Sequence, residues 1–193
     1  MIHNTYFEVL NQFLGDYNRE IYGRELIDKV TLSQKSIALA LDSLEKDGIL
    51  TSRKSGNMKF FRLNSKYSRI KDVIVMAEIS RKTYFFEKQQ VIANLFKNDE
   101  RIVGLFGSYA KGTQKKDSDI DLFIIGEKSS EDYNKKAKTY DLDISIKYFN
   151  IKEFKTLLKE KNLLVKEIVE NHIVLFNVER LIELLWRDYY GFD

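Results

Sequence analysis

The sequence predicts an α+β chain in two parts. Short helices closed by a β-hairpin come first, a helical stretch follows, and strands then alternate with helices to the end. Three observations carry this reading. Apolar residues recur three and four apart between residues 5 and 46. The triplet Ser55-Gly56-Asn57 separates two strand-like runs and suits a hairpin tip. Beyond residue 99, short apolar runs alternate with amphipathic segments. The expected divisions are 1–65, 66–98 and 99–193.

Each element has its own signal. In TYFEVLNQFL, Tyr6, Val9, Leu10, Phe13 and Leu14 follow helical spacing. YGRELIDKV reads as a short second helix. Ser33 is the expected N-cap of a third, whose stripe is Ile37, Leu39, Ala40, Leu41 and Leu44, and Gly48 stops it. ILTSRKSGNMKFFRLN gives the two hairpin strands. SRIKDVIVMAEISRKTYFFEKQQVIANLF reads as helix, interrupted near Ser80. RIVGLFGS, SDIDLFIIG, DLDISIKYF and HIVLFN are the expected later strands. DYNKKAKTY, IKEFKTLLKEKN, LVKEIVEN and VERLIELLWRDYY are the expected later helices. The chain has no proline, so breaks between helices must come from elsewhere, chiefly glycine.

Composition narrows the chemistry. The 193 residues are 44% hydrophobic and 13% aromatic, enough for a core in each part. Charged residues make up 32%, yet the net charge is only +3, so any footprint on nucleic acid must be local. There is no cysteine, which excludes disulfides and thiolate metal sites. The two histidines, His3 and His172, are far apart, which argues against a histidine zinc site. His172 opens a strand and is expected to be structural. Metal chemistry therefore falls to carboxylate oxygens, which suit Mg²⁺ or Mn²⁺. The N-terminus has no basic leader followed by an apolar stretch, and no run approaches a membrane span, so a cytoplasmic protein without membrane contact is expected.

The chemistry concentrates in GSYAKGTQKKDSDIDLFII, Gly107 to Ile125. Side chains alternate along a strand, so Asp119 and Asp121 share one face while Ile120, Leu122 and Ile124 share the other. Two adjacent carboxylates repel unless a cation lies between them. Gly107 lets backbone approach a ligand closely, and Ser108 is expected to cap the next helix, whose N–H groups suit an anion. Lys111 is a candidate phosphate contact. A third carboxylate is expected from DLDISIKYF. Asp141 and Asp143 both qualify by face, with Asp143 favoured because it lies deeper in the apolar run.

These residues resemble the DNA polymerase β nucleotidyltransferase superfamily, and closely its minimal nucleotidyltransferase (MNT) branch. The signature Gly-Ser, ten residues, Asp-x-Asp is matched in full by Gly107-Ser108 and Asp119-Ile120-Asp121. The resemblance covers residues 99 to about 180. It implies a small mixed β-sheet with flanking helices on one side, and Mg²⁺-dependent transfer of a nucleoside monophosphate, with ATP as the expected substrate. Asp119, Asp121 and Asp143 are then the expected catalytic metal ligands, and Gly107, Ser108 and Lys111 the nucleotide contacts. Family members often carry arginine where Lys111 stands; lysine keeps the charge and loses the bidentate fork. The resemblance also implies a HEPN toxin-like protein as a partner, adenylylated on tyrosine. The aromatic end at Trp186, Tyr189 and Tyr190 is expected to suit a protein surface, which favours a protein acceptor over RNA.

Residues 32–64 resemble the recognition helix and wing of a winged helix-turn-helix domain. That resemblance implies contact with double-stranded DNA through Ser33, Gln34, Lys35 and Ser36, and through Arg53, Lys54, Lys59 and Arg62. The alternative to an enzyme is accordingly a DNA-binding regulator whose C-terminal domain senses a nucleotide or partner without turnover.

Overall fold

A computed structural model describes residues 5–96, 98–128 and 133–192, which form two compact units, Met1–Ser80 and Arg81–Gly191. His3 and Asp132, at the start of two expected segments, lie outside the described residues.

The first unit begins with α1 (Thr5–Leu10), extended by one 3₁₀ turn at Asn11–Phe13. Val9, Leu10 and Phe13 are buried, as their spacing requires. β1 is the two-residue strand Ile21–Tyr22, followed by a 3₁₀ turn at Gly23–Leu26. The expected second helix is therefore absent. Ile21 pairs with Phe61 and Tyr22 with Phe60, so sheet pairing takes the front of YGRELIDKV, and the turn that follows is 3₁₀.

α2 (Gln34–Lys46) starts where Ser33 Oγ accepts the Ser36 N–H at 3.1 Å. Ile37, Ala40, Leu41 and Leu44 are buried, but Leu39 is 62% exposed. Position 39 lies about 200° around the helix from Ile37, so it faces away from the stripe. β2 (Leu50–Ser55) and β3 (Met58–Leu63) form the hairpin around Gly56-Asn57. The sheet order is β1-β3-β2. Leu50, Phe61 and Leu63 are buried in this unit's core.

α3 (Ile70–Lys88) runs through Ser80 without a break. The interruption falls at Gln89, before α4 (Gln90–Leu95). Gln89 leaves helical geometry at φ −123° and ψ 60°.

The second unit is built on β4 (Ile102–Phe106), β5 (Ile120–Ile125), β6 (Ile144–Phe149) and β7 (Ile173–Phe176). The order is β6-β5-β4-β7, with β5 and β6 parallel and the other two pairings antiparallel, which makes a mixed sheet. α5 (Gly107–Lys111) follows β4, α6 (Tyr133–Lys138) precedes β6, and α7 (Ile151–Lys159) and α8 (Leu163–Glu170) lie between β6 and β7. α9 (Val178–Leu184) ends in a π-helical turn over Leu185–Tyr189.

Both faces of this sheet are covered, not one. On the first, Val103, Leu105, Ile120 and Leu122 join a buried cluster with Ile92 of α4 and Tyr133 of α6. On the second, Phe149 meets Phe154 of α7 edge to face at 5.4 Å. Phe123 and Ile125, whose side chains alternate away from the first face, are also buried. Apolar residues on both sides of β4 and β5 demand this double cover. Leu181, Leu184 and Leu185 are buried. Trp186 is only 3% exposed, so it is core and not the expected surface aromatic; Tyr189 and Tyr190 are half-buried. Among the described residues, no helix is long and apolar enough to cross a membrane.

Candidate active site

β4 ends at Phe106, and Gly107 turns the chain into α5 with φ +66°. Only glycine adopts that left-handed backbone without cost. A second constraint falls on the same residue. A Cβ at position 107 would stand 2.3 Å from Asp121 Oδ2. Glycine is required because the Asp121 carboxylate occupies the space a side chain would need. The antiparallel register sets this contact, since Phe106 pairs with Asp121.

Ser108 does not cap α5. It lies inside the helix, and Phe106 holds the cap position without a side-chain hydrogen bond. Its carbonyl accepts the Thr113 N–H at 2.9 Å, which folds the following loop back on the helix. Gly112 ends the helix in the left-handed region at φ +70°.

Asp119 is exposed and stands just ahead of β5, while Asp121 is half-buried within it. On the neighbouring strand Ile144 pairs with Ile120 and Ser145 with Asp121. Asp143 directly precedes β6, and its carbonyl accepts the Ile120 N–H at 2.8 Å. Parallel pairing keeps partners on one face, so Asp119, Asp121, Asp143 and Ser145 share the face opposite Ile120, Leu122, Ile144 and Ile146. Asp141 is outside the strand, in a turn at φ +53°.

The electrostatics agree with crowding. Burial pushes the Asp121 carboxyl above its ordinary range, and the charges of Asp119 and Glu167 push it further; Lys147 and Lys111 oppose them. Glu167 and Lys147 were not legible as site residues. Glu167 lies on α8 in an ordinary amphipathic pattern, and only the fold brings it near. It pairs with Lys111 at 2.7 Å, so Lys111 is carboxylate-bound and not a free loop cation.

The chemistry of this donor set fits a hard divalent cation, because mutually repelling carboxylate oxygens on one face are what such an ion binds. The side chains do not yet converge. Among the described residues, no group of three His, Cys, Asp or Glu stands close enough to hold a metal ion.

The first unit's candidate contacts divide between two faces. Ser33, Gln34 and Lys35 are exposed at the start of α2, and Ser36 is half-buried with its hydroxyl 2.9 Å from that of Ser33. Lys59 reaches toward α2, bonding Asp42 at 3.0 Å and Glu45 at 2.6 Å. Lys54 pairs with Lys59 across the hairpin and shares that side. Arg53 pairs with Phe60 and Arg62 with Thr51, which places both arginines on the opposite side. Arg53 is bound to Glu20, through Nε at 2.8 Å. The structure therefore brings together two pairs of cations and not one surface of four.

His172 is 1% exposed, with Nδ1 2.8 Å from the Ile168 carbonyl and 2.9 Å from that of Val169. It closes the end of α8, the structural role its position suggests.

A glycine-ended strand, a short helix and paired aspartates on the next strand of a mixed sheet thus form one arrangement on β4, α5 and β5. Residues 89–176 match the family model of the nucleotidyltransferase domain, a match that supports the nucleotidyltransferase superfamily and a transferase. No curated protein and no solved structure matches the chain.

Proposed function

We propose that the chain transfers a nucleoside monophosphate, AMP from ATP, to a hydroxyl acceptor in a Mg²⁺- or Mn²⁺-dependent reaction. The observation that supports this is the register that leaves Asp119, Asp121 and Asp143 on one face of the sheet, next to a glycine that makes room for Asp121. Asp119, Asp121 and Asp143 would hold the cation, which supplies charge neutralisation at the phosphates and acidifies the attacking hydroxyl. The acceptor oxygen forms a bond to the α-phosphorus, the bond to the bridging oxygen breaks, and pyrophosphate leaves. Asp143 takes the acceptor proton. Gly107 and Ser108 present backbone to the β and γ phosphates. Lys111 reaches them as a point charge by giving up Glu167.

The acceptor hydroxyl is read as that of a protein side chain, with a HEPN toxin-like partner following from the MNT resemblance. The aromatic argument for it is weakened, because Trp186 is core. Incubation with α-labelled ATP tests both levels. Pyrophosphate release with label in protein supports the full reading. Label confined to RNA overturns the acceptor alone, and no release with any acceptor overturns the transferase.

A second reading is a DNA-binding regulator, with the N-terminal unit as a winged helix. The exposed Gln34 and Lys35 at the start of α2 favour it. The division of Arg53 and Arg62 from Lys54 and Lys59 reduces the cations that one duplex could meet. Duplex affinity falling by ~0.9 log unit per log unit of salt for each phosphate neutralised would support it. Its loss on Lys35→Glu would locate the surface.

A further inference from the structure

The side of the small sheet that carries Arg53 and Arg62 also carries a cavity of about 300 Å³. That volume is at the lower end of small-molecule pockets. Its charged lining is Glu20, Arg53, Arg62 and Lys66, and Phe60 gives it one apolar wall. One carboxylate against three cations leaves a net charge of +2. Glu20 is committed to Arg53, bonded by Nε at 2.8 and 3.0 Å, and the guanidinium lies 5.0 Å over the Phe60 ring. Among the described residues neither Arg62 nor Lys66 forms an ion pair; Arg62 Nε donates one long bond of 3.5 Å to Thr51 Oγ1. The pair Glu20–Arg53 thus forms one side of the cavity; Arg62, close enough to help hold the Glu20 carboxyl below its ordinary range, and Lys66 line the rest without ion pairs of their own.

We propose that this cavity binds a small organic phosphate monoester. The charge argues for it, since a monoester carries about −1.5 to −2 at neutral pH and meets the +2 of the lining. The ring of Phe60 argues for an organic group on the phosphate. Arg62 supplies the planar fork that grips phosphate oxygens, and Lys66 a second point charge. Duplex DNA is the less suited occupant. Arg53 and Arg62 lie on the side of the sheet opposite Lys54 and Lys59, so a duplex on this cavity would meet only part of the hairpin's cations.

The probe is phenyl phosphate, titrated calorimetrically into the full chain with EDTA present, so that metal-dependent nucleotide binding in the other unit is silent. Saturable binding in the millimolar range or tighter is expected, with phenol inactive and inorganic phosphate weaker. Arg62 is exposed, so Arg62→Gln should fold, checked by its melting curve, and should weaken binding by about tenfold or more. Arg62→Lys should recover part of that loss. Absence of saturation, or binding indifferent to Arg62→Gln, overturns the proposal. So does a duplex that displaces phenyl phosphate and depends on Arg62 more strongly, which would make the cavity a seat for nucleic-acid backbone.

Discussion

Gly107→Ala is the most informative single change at the candidate site. Two costs are separable. The first is conformational: φ is +66°, and a residue with a Cβ loses about 1–2 kcal/mol in the left-handed region. The second is steric. The new Cβ would stand 2.3 Å from Asp121 Oδ2 and 3.1 Å from its Cγ, where ordinary contacts are about 3.5 Å or more. The carboxylate must retreat by about 1 Å, at a cost typical of overpacking, about 1–3 kcal/mol. Together the loss of stability should be about 2–5 kcal/mol. A displacement of that size in a positioned group should lower turnover by about 10²-fold. Urea denaturation and pyrophosphate release measure the two effects. A double-mutant cycle isolates the contact: with Asp121→Ala already present, Gly107→Ala should cost only the conformational part. An equal cost in both backgrounds would refute the steric reasoning. Wild-type turnover in Gly107→Ala would refute the claim that Asp121 must sit where it does.

Asp121→Asn should lower transfer by at least about 10²-fold and leave the metal-free fold as stable or more so, because it removes a half-buried charge that Asp119 and Glu167 repel; turnover and melting together check this. Asp143→Ala should lower turnover strongly, whereas Asp141→Gly should leave it unchanged, since Asp141 lies outside the strand in a turn. Asp99 gives a pH prediction. Burial alone would raise its carboxyl, but hydrogen bonds from Arg101 and Tyr133 overcome that and take it to about 2, from an ordinary 3.8. A depressed carboxylate contributes stability above its unfolded value, so about 2 kcal/mol should be present at neutral pH and lost as pH falls from about 4 to about 2. Acid denaturation of Asp99→Asn against wild type measures it, and parallel curves would refute the assignment.

What could be read from the sequence was what depends on neighbours along the chain. Strand alternation located β4 to β7, and the Ser33 cap and Gly48 stop bounded α2. Several of the misreadings involve distant partners. Tyr22 joins a strand because Phe60 lies beside it. The helix break falls at Gln89 and not near Ser80, which remains within α3. Trp186 looked like a surface aromatic because its burial depends on what packs around it. Glu167 had no local mark at all, since its meaning comes from Lys111 and Asp121 on other elements. The spacing of Gly107-Ser108 and Asp119-x-Asp121 was legible because one hairpin-like return, β4 to β5, holds the whole motif.

The proposed third carboxylate, Asp143, could not be part of that local motif, and the topology says why. β5 and β6 run parallel, and parallel strands cannot be joined by a tight turn; they need a crossover of about a dozen residues or more. Here the crossover includes α6, and its length is free to vary without altering the sheet. No fixed spacing can therefore tie Asp121 to Asp143. What fixes Asp143 is register. Ile144 and Ile146 pack on the apolar face with Ile120 and Leu122, and a slip of one residue would send them to the polar face and Asp143 into the core. The energy that holds Asp143 on that face is hydrophobic, supplied by residues with no chemistry of their own.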